Sequence, residues 1–267
     1  MLALNKTASG AVTVQGGAQV VLDSCNLYDD SNSGSALTVG GSATLSALTV
    51  KVVGGISGTS SVTATKGIAT GLMPLSDPYA NVALPSFSGC DEHNYTAKTT
   101  VTINPGVYCG GISVIAGATL TLSPGIYFLD RGNLSAVGSS AITGTGVTLV
   151  FTSSTGSNYA TASITGNAIV NLTAPTSGPT AGIVIFGDRA MPVGTSFKLT
   201  GGGSQVVGGA IYVPKGALEF SGGNSTGSSC TQIVADTISL SGNSSLKLDC
   251  NGFGTKPIGS AAGKLVE

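Results

Sequence analysis

Thr102-Ile-Asn-Pro-Gly-Val-Tyr108 and Thr121-Leu-Ser-Pro-Gly-Ile-Tyr127 are two near-copies of one phrase, beginning 19 residues apart. In each, alternating apolar residues predict a short strand, Pro-Gly predicts a type II turn, and the tyrosine re-enters the next strand. A spacing near 20 residues is that of one circuit in a repeat architecture, where each unit buries its apolar face only against its neighbours. The phrase therefore predicts parallel strands stacked circuit upon circuit.

The same grammar extends outward in both directions. Upstream lie Ala11-Val-Thr-Val14, Gln19-Val-Val-Leu22, and Ala-Leu-Thr-Val at both Ala36–Val39 and Ala47–Val50. Downstream, from Thr99 to Leu248, come runs such as Gly111–Ile115, Ala118–Leu122, Gly146–Phe151, Gly182–Phe186, Gly209–Val213 and Gln232–Ala235. Helical periodicity is hard to find. Residues 72–95 break the pattern with Pro74, Pro78, Pro85 and the polar cluster Asp91-Glu-His93, so they read as a loop excursion. The expected fold is all-β: a single-stranded right-handed parallel β-helix (β-solenoid), one domain over 1–267, with that excursion. Its column of inward side chains is expected to include Val107, Leu120, Leu122, Ile126, Val184 and Ile211. Its ends would be exposed edges, which leaves end-to-end self-association open.

Composition narrows the partners. Charged residues make up 9% of the 267 residues, against about a quarter in ordinary domains, so Ser, Thr, Asn and Gly must cover the surface. Eleven basic and 12 acidic residues give a net charge of −1, no footprint for nucleic acid or an anionic membrane. No stretch reaches the roughly 18 apolar residues of a membrane-spanning helix. Cys90 and Cys109 lie one circuit apart, as do Cys230 and Cys250, so each pair is expected to bridge adjacent circuits. Two such bridges imply an oxidising compartment. Cys25 is left over: either its partner lay upstream, or it is a buried thiol.

Candidates for chemistry are sparse. His93 is the only histidine and sits beside Asp91 and Glu92 in the proline-rich loop, where a solvated polar tip is the usual role. Asp29, Asp30 and Asn32 resemble the start of a calcium loop, but Gly41 stands where the bidentate glutamate belongs. Gly223-Asn-Ser225-Thr-Gly227 matches a nucleophile-elbow pattern without a following helix. Asp188-Arg189 is expected to be a local ion pair closing a loop. Thr100 and Thr102, with Thr119 and Thr121 one circuit later, form a short outward hydroxyl array. No metal, cofactor or catalytic cluster is expected, because the acids are scattered, mostly one to a strand end.

Six stretches together resemble the C-terminal region of TadG-like proteins of Flp pilus assembly: Leu2–Gly10, Asn104–Gly111, Ala174–Pro179, Phe186–Arg189, Cys230–Asp236 and Leu265–Glu267. The resemblance covers essentially the whole chain. It implies an N-terminal membrane segment upstream of this chain, exported topology, an extracellular or cell-surface site and association with tight-adherence pili, with no membrane contact by this region itself. Related sequences carry a cysteine just before the Leu-Ala-Leu motif, which would offer Cys25 a partner. The leading expectation is a non-catalytic structural or adhesive surface module whose partners are pilus or cell-envelope components or polysaccharide. Ice or carbohydrate binding is the alternative, and a glycan-active enzyme the third reading.

Overall fold

Thr119–Leu122 shows how the local pattern builds a wall: Leu120 and Leu122 are buried, while Thr119 and Thr121 are half-buried on the outside. This is the period-two alternation that a pleated strand imposes. Val101–Ile103, Ala141–Gly144, Ile169–Thr173 and the start of Gln205–Ser221 join it in one parallel ladder. The computed structural model describes residues 1–200, 202, 204–221, 230–242, 245–247 and 254–259. Among them the only helical element is a turn of 3-10 helix at Thr59–Ser61.

The expected single-stranded right-handed β-helix is not what forms. Eight parallel strands close on themselves as a β-barrel. Round the ring, Gly106–Val114 pairs with Gly125–Asp130, then Val147–Thr152, Ile183–Gly187 and Gln205–Ser221 follow in turn. Gln205–Ser221 pairs next with Thr195–Leu199, and Ala162–Ile164 and Leu134–Ala136 lead back to Gly106–Val114. Closure depends on the two long strands, which bend at a corner and stay hydrogen-bonded on both sides of it. In Gly106–Val114 the bend falls at Gly110 and Gly111, with φ of 78° and 89°. A Cβ on Gly111 would come within 2.3 Å of the Asn133 carbonyl, so only glycine lets the strands meet there.

A second departure is the order of the strands. Leu2–Ala3 and Val12–Val14 pair with Thr231–Ser241, Leu2 level with Val234 and Val12 level with Ile238. The N-terminal strands thus continue the stack beyond its last downstream strand, through Gln19–Asp29 and Thr44–Val52 to Ile68–Ala69. The chain must then return to the opposite end, where Glu92–Ala97 pairs with Gly106–Val114. Residues 70–91 make that return as a strap along the outside. The excursion therefore ends at Asp91, short of the expected residue 95, because Glu92–Ala97 is already a strand.

The strap decides which faces are apolar. Leu75, Tyr79, Val82, Leu84 and Phe87 pack on an outer column that includes Val107, Phe128, Val150, Phe186, Tyr212 and Leu2. Phe87 stacks on Phe128 with centroids 4.9 Å apart. A wall buried on both sides needs no alternation, and Val147–Thr152 is buried at every position. Of the six residues expected to point inward, Leu120, Leu122, Val184 and Ile211 do so, but Val107 and Ile126 belong to the outer column under the strap.

The Pro-Gly phrase works differently from the type II turn expected of it. Gly106 and Gly125 begin strands, and only Gly125 takes a positive φ, 142°. The glycine is required by crowding: a Cβ on Gly125 would meet Pro105 of the preceding copy at 2.4 Å. The tyrosines close the turn from inside. Tyr108 Oη donates to the Asn104 carbonyl at 2.7 Å, and the single Tyr127 hydroxyl proton is shared between the Ser123 and Ile103 carbonyls, each 2.9 Å from Oη.

Candidate functional site

The wall opposite in character to the strapped one carries a row of outward side chains that runs its whole length, fixed by strand register. Thr96, Ser113, Ser135 and Ser163 lie level with one another in adjacent strands. Lys198 and Glu219 continue the row. Ser239, Thr13, Thr38 and Ser57 complete it across the out-of-order junction. At roughly 4.8 Å per strand the row spans about 40 Å. All these positions are half-buried or exposed, while their chain neighbours Val12, Val14, Leu37, Leu134, Ala136, Ile164 and Leu240 fill the core.

Each middle residue is held by the pleat, and some hydroxyls are oriented as well. Thr13 Oγ1 donates to the Gly10 carbonyl at 3.0 Å and Thr38 Oγ1 to that of Ser35 at 3.3 Å. A hydroxyl whose proton is engaged in this way offers its lone pairs outward. Lys198 and Glu219 form an ion pair at 3.3 Å, both about half exposed, which leaves the row neutral.

The expected threonine array is present but short. Thr102, Thr121 and Thr143 are level, with Thr121 and Thr143 hydroxyls 3.3 Å apart, and then Asn171 and Val206 take the positions. The column of Thr119 passes at once to Ala141 and Ile169. Thr100 is exposed just before its strand.

The acids are less scattered than the sequence implied. Asp130, Asp188, Asp236 and Asp30 recur along one corner of the stack, each holding a neighbouring segment by hydrogen bonds. Asp130 accepts from the Ser154 amide at 2.7 Å and from Arg131 Nε at 3.0 Å. Burial pushes its carboxyl up, but the Ser154 amide, the Ser154 hydroxyl and the Arg131 guanidinium outweigh this and hold it below the usual carboxylate range. Asp30 pairs with Lys6 at 2.7 Å and accepts from the Leu75 amide. Asp29 accepts from the Ser31 and Val12 amides at 3.0 and 3.2 Å, and burial raises its carboxyl to about 6. Of the calcium-loop candidates, Asp29 thus caps a turn, Asp30 ties the strap and Lys6 to the stack, and Asn32 is exposed. The register that aligns this corner was hidden in sequence by the non-sequential stacking.

Asp188 and Arg189 do not form the expected ion pair. Asp188 accepts from Thr152 Oγ1 at 2.7 Å and the Ala190 amide at 2.8 Å, while Arg189 reaches under the strap. His93 is exposed on Glu92–Ala97, level with Cys109. Asp91 accepts from the Val107 amide at 2.8 Å. Gly223–Gly227 lies outside the described residues.

Cys90 and Cys109 form the expected disulfide, Cα atoms 5.7 Å apart, which fastens the end of the strap to Gly106–Val114. An Asp130 oxygen lies 3.5 Å from the Cys109 sulfur, but sulfurs bonded to each other are not metal-ligating thiolates. Cys230 is also disulfide-bonded; its expected partner, Cys250, lies outside the described residues. Cys25 is half-buried against the core. No helix among the described residues is long and apolar enough to cross a membrane. Comparison with protein-family models, curated proteins and solved structures finds no match.

Proposed function

We propose that this chain is a non-catalytic structural and adhesive module that works outside the reducing cytoplasm and, as the TadG-like resemblance implies, alongside pilus or cell-envelope components. The observation that carries the reading is the neutral row of hydroxyls, crossed by the one Lys198–Glu219 pair and about 40 Å long at roughly 4.8 Å per strand, on a wall left open to solvent among the described residues. A rigid face of this kind can meet an extended hydroxylated polymer along its whole length, through many weak contacts that add. The disulfide at Cys90–Cys109 supports an oxidising compartment.

Sedimentation with insoluble polysaccharide tests the reading. The native protein is expected to co-sediment, and Ser135→Trp with Ser163→Trp, which raises two bulky rings in the row, to lose most of that binding. Undiminished co-sedimentation of the double variant would sink it. Ice binding is the second reading, favoured by the level hydroxyls of Thr102, Thr121 and Thr143. A thermal-hysteresis measurement separates the two, since the adhesive reading expects none.

A further inference from the structure

At the corner between the strapped wall and the hydroxyl wall, segments distant in sequence enclose a groove of about 490 Å³. Leu4 to Thr7 come from the turn between Leu2–Ala3 and Val12–Val14, Arg189 and Val193 from the turn after Ile183–Gly187, Pro214 and Lys215 from the bend of Gln205–Ser221, and Asp77 from the strap. The groove exists only because the N-terminal strands stack out of order.

Arg189 is held by its surroundings. Its guanidinium lies over the rings of Phe186 and Tyr212, 5.3 and 5.1 Å from their centroids. Nε donates to Tyr212 Oη at 2.7 Å and one terminal nitrogen to the Tyr79 carbonyl. The remaining donors of its fork are available. Among the described residues neither Arg189 nor Lys215 has an ion-pair partner. The nearby acids are already engaged: Asp77 accepts from Tyr212 Oη and the Tyr79 amide, and Asp236 from Asn5 Nδ2 through both oxygens. Two cations without partners therefore face one groove, beside an apolar ledge in which Val193 is 60% exposed.

We infer that this groove binds a carboxylate-bearing glycan, with a uronate carboxylate on Arg189 and Lys215 and the sugar ring against Val193 and Pro214. The planar fork suits a carboxylate, and the lone pairs left on Asp77 and Asp236 suit sugar hydroxyls. An acidic peptide fits less well, since the strands here are paired on both sides and offer no edge for backbone pairing. The site lies off the hydroxyl row, so it goes beyond the adhesive reading and stands or falls separately.

Calorimetric titration with oligogalacturonate tests it, with a neutral glucan of the same length and polyglutamate as comparisons. The native protein is expected to bind the uronate oligomer alone, and more weakly in high salt. Lys215→Glu, which touches no strap contact, is expected to weaken binding by roughly tenfold or more, the scale of a lost charge-assisted hydrogen bond. Arg189→Lys should do the same, with retained hydrogen-exchange protection of the strap amides confirming that the strap is seated. Ser135→Trp should leave uronate binding intact. No binding by the native protein, equal binding of neutral glucan or polyglutamate, or an unaffected Lys215→Glu variant would each overturn the inference while leaving the adhesive reading to its own test.

Discussion

Leu120 has no solvent exposure and stands in a column of apolar side chains with no polar partner in reach. Leu120→Asp would place an uncompensated carboxylate there and is expected to abolish stable folding, whereas Leu120→Ala should fold with a loss of about 2–5 kcal/mol. Denaturant melts of both variants check this. Asp29 makes a different prediction. Burial holds its folded carboxyl near 6 against a usual 3.8, so the fold favours the neutral form. Its contribution is full below the unfolded value and is lost as pH rises through the folded one. Stability is therefore expected to fall between about pH 4 and 6 on its account, and Asp29→Asn should flatten that slope in melts across the range. Faces of single residues were legible wherever one side of a strand meets solvent, as at Thr119–Leu122. They were misread at Val107 and Ile126, because alternation identifies two faces but not whether a strap covers the outer one.

The strap from 70 to 91 is held along its length rather than at its ends alone. Tyr79, fully buried, donates to Gln232 Oε1 and receives the Lys256 amide at 3.0 Å; burial raises its phenol from 10 to about 12, so the donor proton stays in place even in mildly alkaline solution. The disulfide closes a loop with sequence separation 19, for which chain entropy gives about 3 kcal/mol. The double variant Cys90→Ser, Cys109→Ser is expected to lose about that much while keeping the remaining strap contacts, as read by urea melts and by hydrogen exchange of the 70–91 amides. The prolines at 74, 78 and 85 made this element visible in the sequence as a departure from strand grammar. Its role was not: Leu75, Tyr79 and Val82 keep a helical spacing yet form no helix among the prolines at 74, 78 and 85, and only short apolar runs such as Leu149–Phe151 and Ile183–Phe186 hinted that both sides of that wall are covered.

Across the whole molecule, parallel strands and the circuit spacing were readable from the repeated phrase, and the Cys90–Cys109 bridge from the same spacing. The closed ring and the order of strands were not, because local patterns state what a strand buries and not which distant strand it pairs with. Out-of-order pairing gives a direct test: a site-specific protease sequence placed at the exposed Gly71–Met73 should cut the chain into two pieces that stay together in native gel filtration and part only in denaturant. Separation under native conditions would contradict the pairing of Leu2 with Val234 and Val12 with Ile238. The same junction sets a timetable for biosynthesis. The strands up to Ile68–Ala69 leave the ribosome first, yet their docking partner, Thr231–Ser241, is made more than 160 residues later (231 − 69 = 162). At typical elongation rates that is a wait of roughly 10 to 30 s with an unpaired edge. The chain thus cannot finish folding as it is made, and its first strands must be kept from pairing elsewhere until its last strands emerge.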